Sequence, residues 1–185
     1  ALGRFDTSVL FIEKGIKWLK PSGVLGYIVS NKFLTTNYGK GIRKFILKSS
    51  SIKQIVNLTD IEPFQVSVLP CILILKNEVE PSKYFHYCVA KKAKKELKTR
   101  MVDDLFKFIK DHIKEHDFSD FIEITLNGNT EKIIVQCFDA QIPSSDHIWF
   151  FIPPDELKIA NKIENMKTHT LEELSVKINV GIKSA

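Results

Sequence analysis

Two short apolar runs, each preceded by a stretch of helical periodicity, constrain the first 76 residues more than anything else in the chain. Leu10, Phe11, Ile12, Ile16 and Leu19 fall near one face of a helix that Asp6 or Thr7 can cap. Pro21-Ser22-Gly23 ends it, because proline lacks an amide donor and glycine accepts positive φ. Val24 to Val29 is then nearly unbroken in apolar character, which suits an interior strand covered on both faces. Asn37 or Tyr38 opens a second helix with an apolar stripe at Ile42, Phe45 and Ile46, closed by Ser49-Ser50-Ser51. Ile52 to Leu58 alternates as a strand does, and Val66 to Leu75 is the strongest strand signal in the sequence. Helix–strand–helix–strand with short linkers points to an open α/β sheet of right-handed crossovers. The handful of residues between the second and third strands cannot hold a helical crossover, so that pair runs antiparallel or the third strand turns onto a neighbouring position.

The remainder reads as an α+β extension. Tyr84 to Val89 is a strand, and Leu97, Met101, Leu105, Phe108 and Ile109 predict a helix from Lys94 to His116. Ile122–Leu126 and Lys132–Phe138 flank Asn127-Gly128-Asn129, a hairpin turn. Ile148 to Ile152 is expected as a further short strand. Pro153-Pro154-Asp155 starts a helix to about Met166, with proline where its missing donor costs nothing. A short capped helix at Thr170 precedes a strand from Val176 to Ile182. The division this suggests is residues 1–90, 91–147 and 148–185.

Composition narrows the class. The 185 residues are 44% hydrophobic and 26% charged, ordinary for a globular protein. No apolar run approaches the ~20 residues that span a bilayer, and no secretory signal pattern is present. The opening Ala-Leu-Gly-Arg does not look like a natural start. Cys71, Cys88 and Cys137 are widely spaced and odd in number, so packing thiols in a reducing cytoplasm are expected rather than a disulfide framework or zinc site. His112 and His116 lie one turn apart, but further ligands are not evident, and solvent-facing histidines are expected. The net charge of +5 favours an anionic partner weakly. Lys91, Lys92, Lys94, Lys95, Lys98 and Arg100 are more telling, since such a cluster can neutralise phosphates; a solvated segment is the alternative.

Three words in the first third carry a resemblance. They are Asp6…Phe11-Ile12-Glu13…Leu19-Lys20-Pro21-Ser22-Gly23, Gly26-Tyr27-Ile28-Val29-Ser30-Asn31-Lys32-Phe33-Leu34, and Gly39 to Arg43 with Phe64-Gln65-Val66-Ser67-Val68 beyond. In this order and spacing they resemble the later half of the catalytic domain of adenine-specific DNA methyltransferases of restriction–modification systems, of the TaqI-like and type I/IIG kinds. The resemblance implies the later half of a Rossmann-like sheet, parallel except for an antiparallel final strand. It implies S-adenosylmethionine as the parent's cofactor, double-stranded DNA as its substrate and a cytoplasmic setting. A weaker similarity, from Ile148-Trp149-Phe150 to Gly181-Ile182-Lys183, is to the entry of the target-recognition region in such enzymes.

The same resemblance implies that Phe64 stacks on the adenine swung out of the duplex, where an aromatic face restores ~1–3 kcal/mol of lost base stacking. A loop phenylalanine folded under the sheet is the competing reading. Ser30, Asn31 and Lys32 end a strand where open α/β sheets hold ligands, although Asn31 can equally serve as a turn former. Lys40, Arg43, Lys91, Lys92, Lys94 and Lys95 are candidate phosphate contacts. The family's Gly-rich cofactor turn and its Asn/Asp-Pro-Pro-Tyr/Phe motif have no counterpart, the one Pro-Pro being Ile152-Pro153-Pro154-Asp155. Methyl transfer needs donor and amine held in line, so the chain is expected to be inactive alone, with no catalytic residue of its own. The Val24–Val29 strand should expose an edge able to pair with a second copy. A nucleic-acid-binding module without catalytic ancestry, a protein-interaction domain with Phe33, Tyr38, Phe64 and Trp149 in its core, and an RNA methyltransferase are the other readings.

Overall fold

The structure is a computed structural model, and it describes residues 6–58, 61, 68–78, 83–93, 100–101, 103–112, 117–126, 129–143 and 147–165. Two compact units are present, residues 1–151 and 152–185. Within the first, a helix α1 (Ser8–Trp18) leads into β1 (Val24–Ser30). One turn of helix, α2 (Lys32–Thr35), and a 3-10 turn (Asn37–Gly39) then precede α3 (Lys40–Ser49) and β2 (Ser51–Asn57). After β3 (Pro70–Lys76) come β4 (Tyr84–Lys92), the two-residue β5 (Arg100–Met101), α4 (Leu105–His112), β6 (Asp117–Leu126) and β7 (Asn129–Gln141). The second unit contributes α5 (Pro154–Asn165), on which Leu157, Ile159 and Ile163 are exposed.

Among the described residues all seven strands form one sheet, in the order β1-β3-β2-β4-β7-β6-β5. β3 lies between β1 and β2 and is antiparallel to both, so those two are parallel to each other. This is the parallel sheet with one reversed strand that the short β2–β3 connection requires. β2 pairs parallel with β4, and β4, β7 and β6 continue antiparallel, with Leu126 opposite Asn129 where the hairpin was expected.

Strand alternation divides the core between the two faces. Leu25, Ile55, Leu73, Leu75, Phe85, Tyr87 and Phe138 point one way, against Ile12 and Ile16 of α1 and Ile42 and Ile46 of α3. Val56, Cys88, Ala90, Ile133, Val135 and Cys137 point the other way, against Leu105, Phe108 and Ile109 of α4. Gly15 lets α1 lie close to β1, because a Cβ there would stand 2.9 Å from Leu25 Cδ2. Thr7 occupies the α1 N-cap, and Asp6 Oδ1 accepts from the Ser8 amide at 2.9 Å. At the other end Asn77 Nδ2 donates to the Leu19 and Lys20 carbonyls at 2.9 and 3.1 Å, sealing α1 from the far side of β3.

Several expectations are corrected. The left-handed residue after α1 is Ser22, at φ 60°, and not Gly23. Among the described residues of Lys94–His116 the helix starts at Leu105, where Asp104 caps it: Oδ1 accepts from Phe106 and Lys107 at 2.9 and 3.1 Å. Met101 belongs to β5 instead, and residues 94–99 and 113–116 lie outside the described residues. Ile148–Ile152 is not a strand; Trp149 donates its amide to Leu34 O at 2.8 Å and buries its ring, while Phe151 packs edge-on against Phe85. Cys88 and Cys137 are bonded to each other rather than packed as thiols. They stand opposite one another in the β4–β7 ladder, a juxtaposition that spacing 49 residues apart conceals. Cys71 is the remaining thiol, and burial pushes its pKa up to about 12, which leaves it unreactive at neutral pH. The segment Thr170–Ile182 and the pair formed by His116 with His112 fall outside the described residues. His112 itself is half-buried, with Nδ1 2.8 Å from Phe108 O and its ring on Phe108. No described helix is long and apolar enough to cross a membrane.

Candidate functional site at the carboxyl ends of β1 and β2

Parallel strands bring their carboxyl ends to one side of a sheet, and open α/β proteins bind ligands there. Here that side holds Ser30 and Asn31 after β1, Asn57 at the end of β2, and the start of β3. The polypeptide leaving β1 turns at once into α2, pinned by buried Phe33 and Leu34, so Lys32 between them and Asn31 is left exposed. Ser30 Oγ accepts from the Lys32 amide at 3.4 Å. Asn31 Nδ2 donates to Asn57 Oδ1 at 2.9 Å, and Asn57 Nδ2 donates to the Tyr87 hydroxyl at 3.1 Å. Burial raises the Tyr87 pKa, and the Asn57 hydrogen bond partly offsets this.

A second construction fixes the return from α2. Arg43 is 2% exposed, and its Nη1 donates to Phe33 O at 2.6 Å and Thr36 O at 2.8 Å. The expectation that Arg43 touches phosphate is therefore corrected: its guanidinium lies under the loop, donating to Phe33 O and, beside the Gly39 amide, to Thr36 O. Gly39 is what permits this. A Cβ at that position would fall 2.0 Å from Phe33 O and 2.6 Å from Arg43 Nη1. Lys40, next in sequence, is exposed.

Beside this end, β1 forms one edge of the sheet, and among the described residues nothing pairs with its free side. A cleft of about 450 Å³ follows that edge, lined by Asp6, Thr7, Ser8, Phe11, Tyr27, Ile28, Val29 and Ser30. The surroundings are unusually apolar: Phe11 is 64% exposed, Trp18 79% and Ile28 53%. Helix α1 thus carries apolar side chains on its outer side as well as on the face it buries.

The remaining candidates are scattered. Lys91 is half-buried and Lys92 exposed on β4, the latter paired with Glu131 at 3.1 Å. Phe64, Lys94 and Lys95 lie outside the described residues. Among the described residues no group of histidine, cysteine and carboxylate side chains could hold a metal ion. Nor do the described residues contain a glycine-rich turn after a strand of the kind that cradles dinucleotide-like cofactors. Sequence reasoning missed the Arg43 staple and the Asn31–Asn57–Tyr87 string. The Gly39-x-x-x-Arg43 spacing could have signalled the first, since residues four apart share a helix face.

An α/β sheet with one antiparallel strand inserted between two parallel ones, and α1 and α3 packed on one face, defines the structural class. Within it, residues 1–64 match the Eco57I restriction-modification methylase family. The type II methyltransferase M.BstVI of Geobacillus stearothermophilus is 36% identical over 77 residues, 40% of this chain and 14% of that protein. The type II restriction enzyme and methyltransferase RM.Eco57I of Escherichia coli is 33% identical over 79 residues, 42% of this chain and 8% of that protein. The type II methyltransferase M.BanIII of Aneurinibacillus aneurinilyticus is 37% identical over 70 residues, covering 38% and 12%. The matches thus span between 8 and 14% of the length of these relatives. Among solved structures, a class I S-adenosylmethionine-dependent methyltransferase from Listeria monocytogenes aligns at 25% identity with a TM-score of 0.44, covering 58% of this chain and 32% of that one.

Proposed function

We propose that this chain is the later half of the catalytic domain, with the beginning of the recognition region, of a restriction–modification methyltransferase that moves a methyl group from S-adenosylmethionine to adenine in double-stranded DNA. The observation that carries this reading is the coincidence of the family match over residues 1–64 with the segment that builds α1, β1, α3 and β2. In this reading the working protein is cytoplasmic, and the division into residues 1–90, 91–147 and 148–185 follows the parent's functional parts, although β4 runs continuously through residue 90. Phe64 stacks on the displaced adenine. Ser30, Asn31, Lys32 and Lys40 face the target strand, and Lys91, Lys92, Lys94 and Lys95 approach phosphates further along the duplex. The donor and the in-line geometry come from the half that holds the cofactor, so this chain alone transfers no methyl group. The free edge of β1 takes another strand, from that half or from a second copy of this chain.

The test is the coding DNA immediately upstream of the Ala1 codon. An Asn-Pro-Pro-Tyr-like motif about twenty to forty codons earlier, preceded by a glycine-rich turn, supports the proposal. An unrelated domain or a start codon in that place overturns it. The exposed lysines of β4 favour one second reading, a DNA-binding module without chemistry. It predicts that the chain alone binds duplexes with an affinity falling steeply as salt rises.

A further inference from the structure

The polypeptide leaves the sheet at Asn57 and returns at Pro70, and one residue outside this connection bonds both of its ends. Asn31 donates its backbone amide to Leu69 O at 2.8 Å and its side-chain amide to Asn57 Oδ1 at 2.9 Å. The Asn57 side chain is held in turn by the Tyr87 hydroxyl at 3.1 Å. Within the connection, Leu58 donates its amide to Pro70 O at 3.0 Å, and Leu58 and Ile61 are buried. A turn-forming asparagine accounts for none of this. An N-cap asparagine normally offers its side-chain oxygen to the first amides of the helix, yet Asn31, at the N-cap of α2, makes no such bond. Its amide is directed across β3 to β2 instead.

We propose that Asn31 is a positioning residue: its paired hydrogen bonds to Asn57 and Leu69 tie together the two ends of the β2–β3 connection, in which Phe64 lies in sequence. What the connection does rests on the base-stacking reading above; the clamp rests on geometry alone.

The amide–amide pair suggests its own test. In Asn31→Asp, Asn57 can turn its amide to donate to the new carboxylate and accept from Tyr87. In Asn57→Asp, the carboxylate accepts from both Asn31 and Tyr87. In N31D/N57D, of nearly the same size, two carboxylates meet and the tie is lost. With 4-fluorophenylalanine at position 64 of the full 185-residue chain, the fluorine resonance reports the connection, and a second label at buried Phe138 reports the fold. At pH 8 each single variant is expected to keep the parent resonance. The double variant is expected to move or split it by more than its linewidth while Phe138 stays in place. A double variant whose Phe64 resonance superimposes on the parent's overturns the proposal. If the double variant does not fold, Asn31→Ala takes its place with the same readout and the same two outcomes. Adding a duplex with adenine opposite an abasic site tests the stacking reading separately. An unmoved Phe64 resonance there sinks that reading and leaves the clamp standing.

Discussion

One continuous sheet is built here by two different means. From Asp6 to Lys76, strands are joined through helices, two of them run parallel, and the helices α1 and α3 share one face. From Tyr84 to Gln141, neighbouring strands are long and mainly antiparallel, a disulfide crosses β4 and β7, and α4 covers the opposite face. The first region ends in the open edge of β1 with apolar surface beside it, and the second ends at β6 and the two-residue β5. Order in the first region depends on buried hydrogen bonds to loop carbonyls, and in the second on ladder pairing and a covalent tie. The contrast is between a region tied by hydrogen bonds to loop carbonyls and one tied by a long antiparallel ladder and a disulfide.

The most severe test of this division places one cavity in each region. Phe33→Ala and Phe108→Ala each remove a buried ring, and each should cost about 4 kcal/mol in denaturant unfolding. Because β2 and β4 are hydrogen-bonded neighbours, both variants should shift a single transition monitored by circular dichroism. Two separate transitions would show that the regions fold independently despite the shared sheet.

Reduction should discriminate between the regions. The Cys88–Cys137 bond closes a 49-residue separation, so opening it should lower stability by about 3–4 kcal/mol on loop-entropy grounds. The loss should appear as faster amide exchange in β4, β6 and β7 before any change in α1 or β1. Cys71 should resist alkylation in the folded chain in either redox state, since its thiol is buried and its pKa lies near 12.

Gly39→Ala and Arg43→Met test the loop of the first region. The alanine methyl would press on Phe33 O from 2.0 Å, and the methionine would take the Arg43 donor from Phe33 O and leave Thr36 O with the Gly39 amide alone. Each should cost about 2–3 kcal/mol, and Arg43→Lys should recover only part of the loss because an ammonium cannot reproduce the fork. This loop also marks what could be read in the sequence. Helix α1, strands β1 and β2, and the β6–β7 turn follow from local periodicity and turn chemistry, signals carried within about ten residues. The start of α4 was missed because the apolar period of Leu97, Met101 and Leu105 outweighed a capping aspartate. The Arg43 staple, the Asn31–Asn57 tie and the cysteine pair were hidden for a different reason: each depends on strand register or loop closure, which no local pattern encodes. Even so, Asn31 and Arg43 were both selected from the sequence, and the geometry gives both of them supporting hydrogen bonds.

The smallest effect lies where the first region's sheet meets the chain leaving β3. Glu78 sits between Lys53 and Lys76, each 2.5 Å away, and their hydrogen bonds hold its carboxyl below its ordinary value of 4.5. A carboxylate with a depressed folded pKa contributes stability that is present above its unfolded value. That contribution is lost as pH falls through the folded value, because the unfolded chain takes up the proton first. Unfolding midpoints of Glu78→Gln and the parent should therefore differ near neutrality and converge on the acid side of pH 4.5. The two lysines are partly exposed, so salt should narrow the neutral difference. A difference that persists unchanged in acid would mean that the Glu78 side chain acts through its packing and not through its charge.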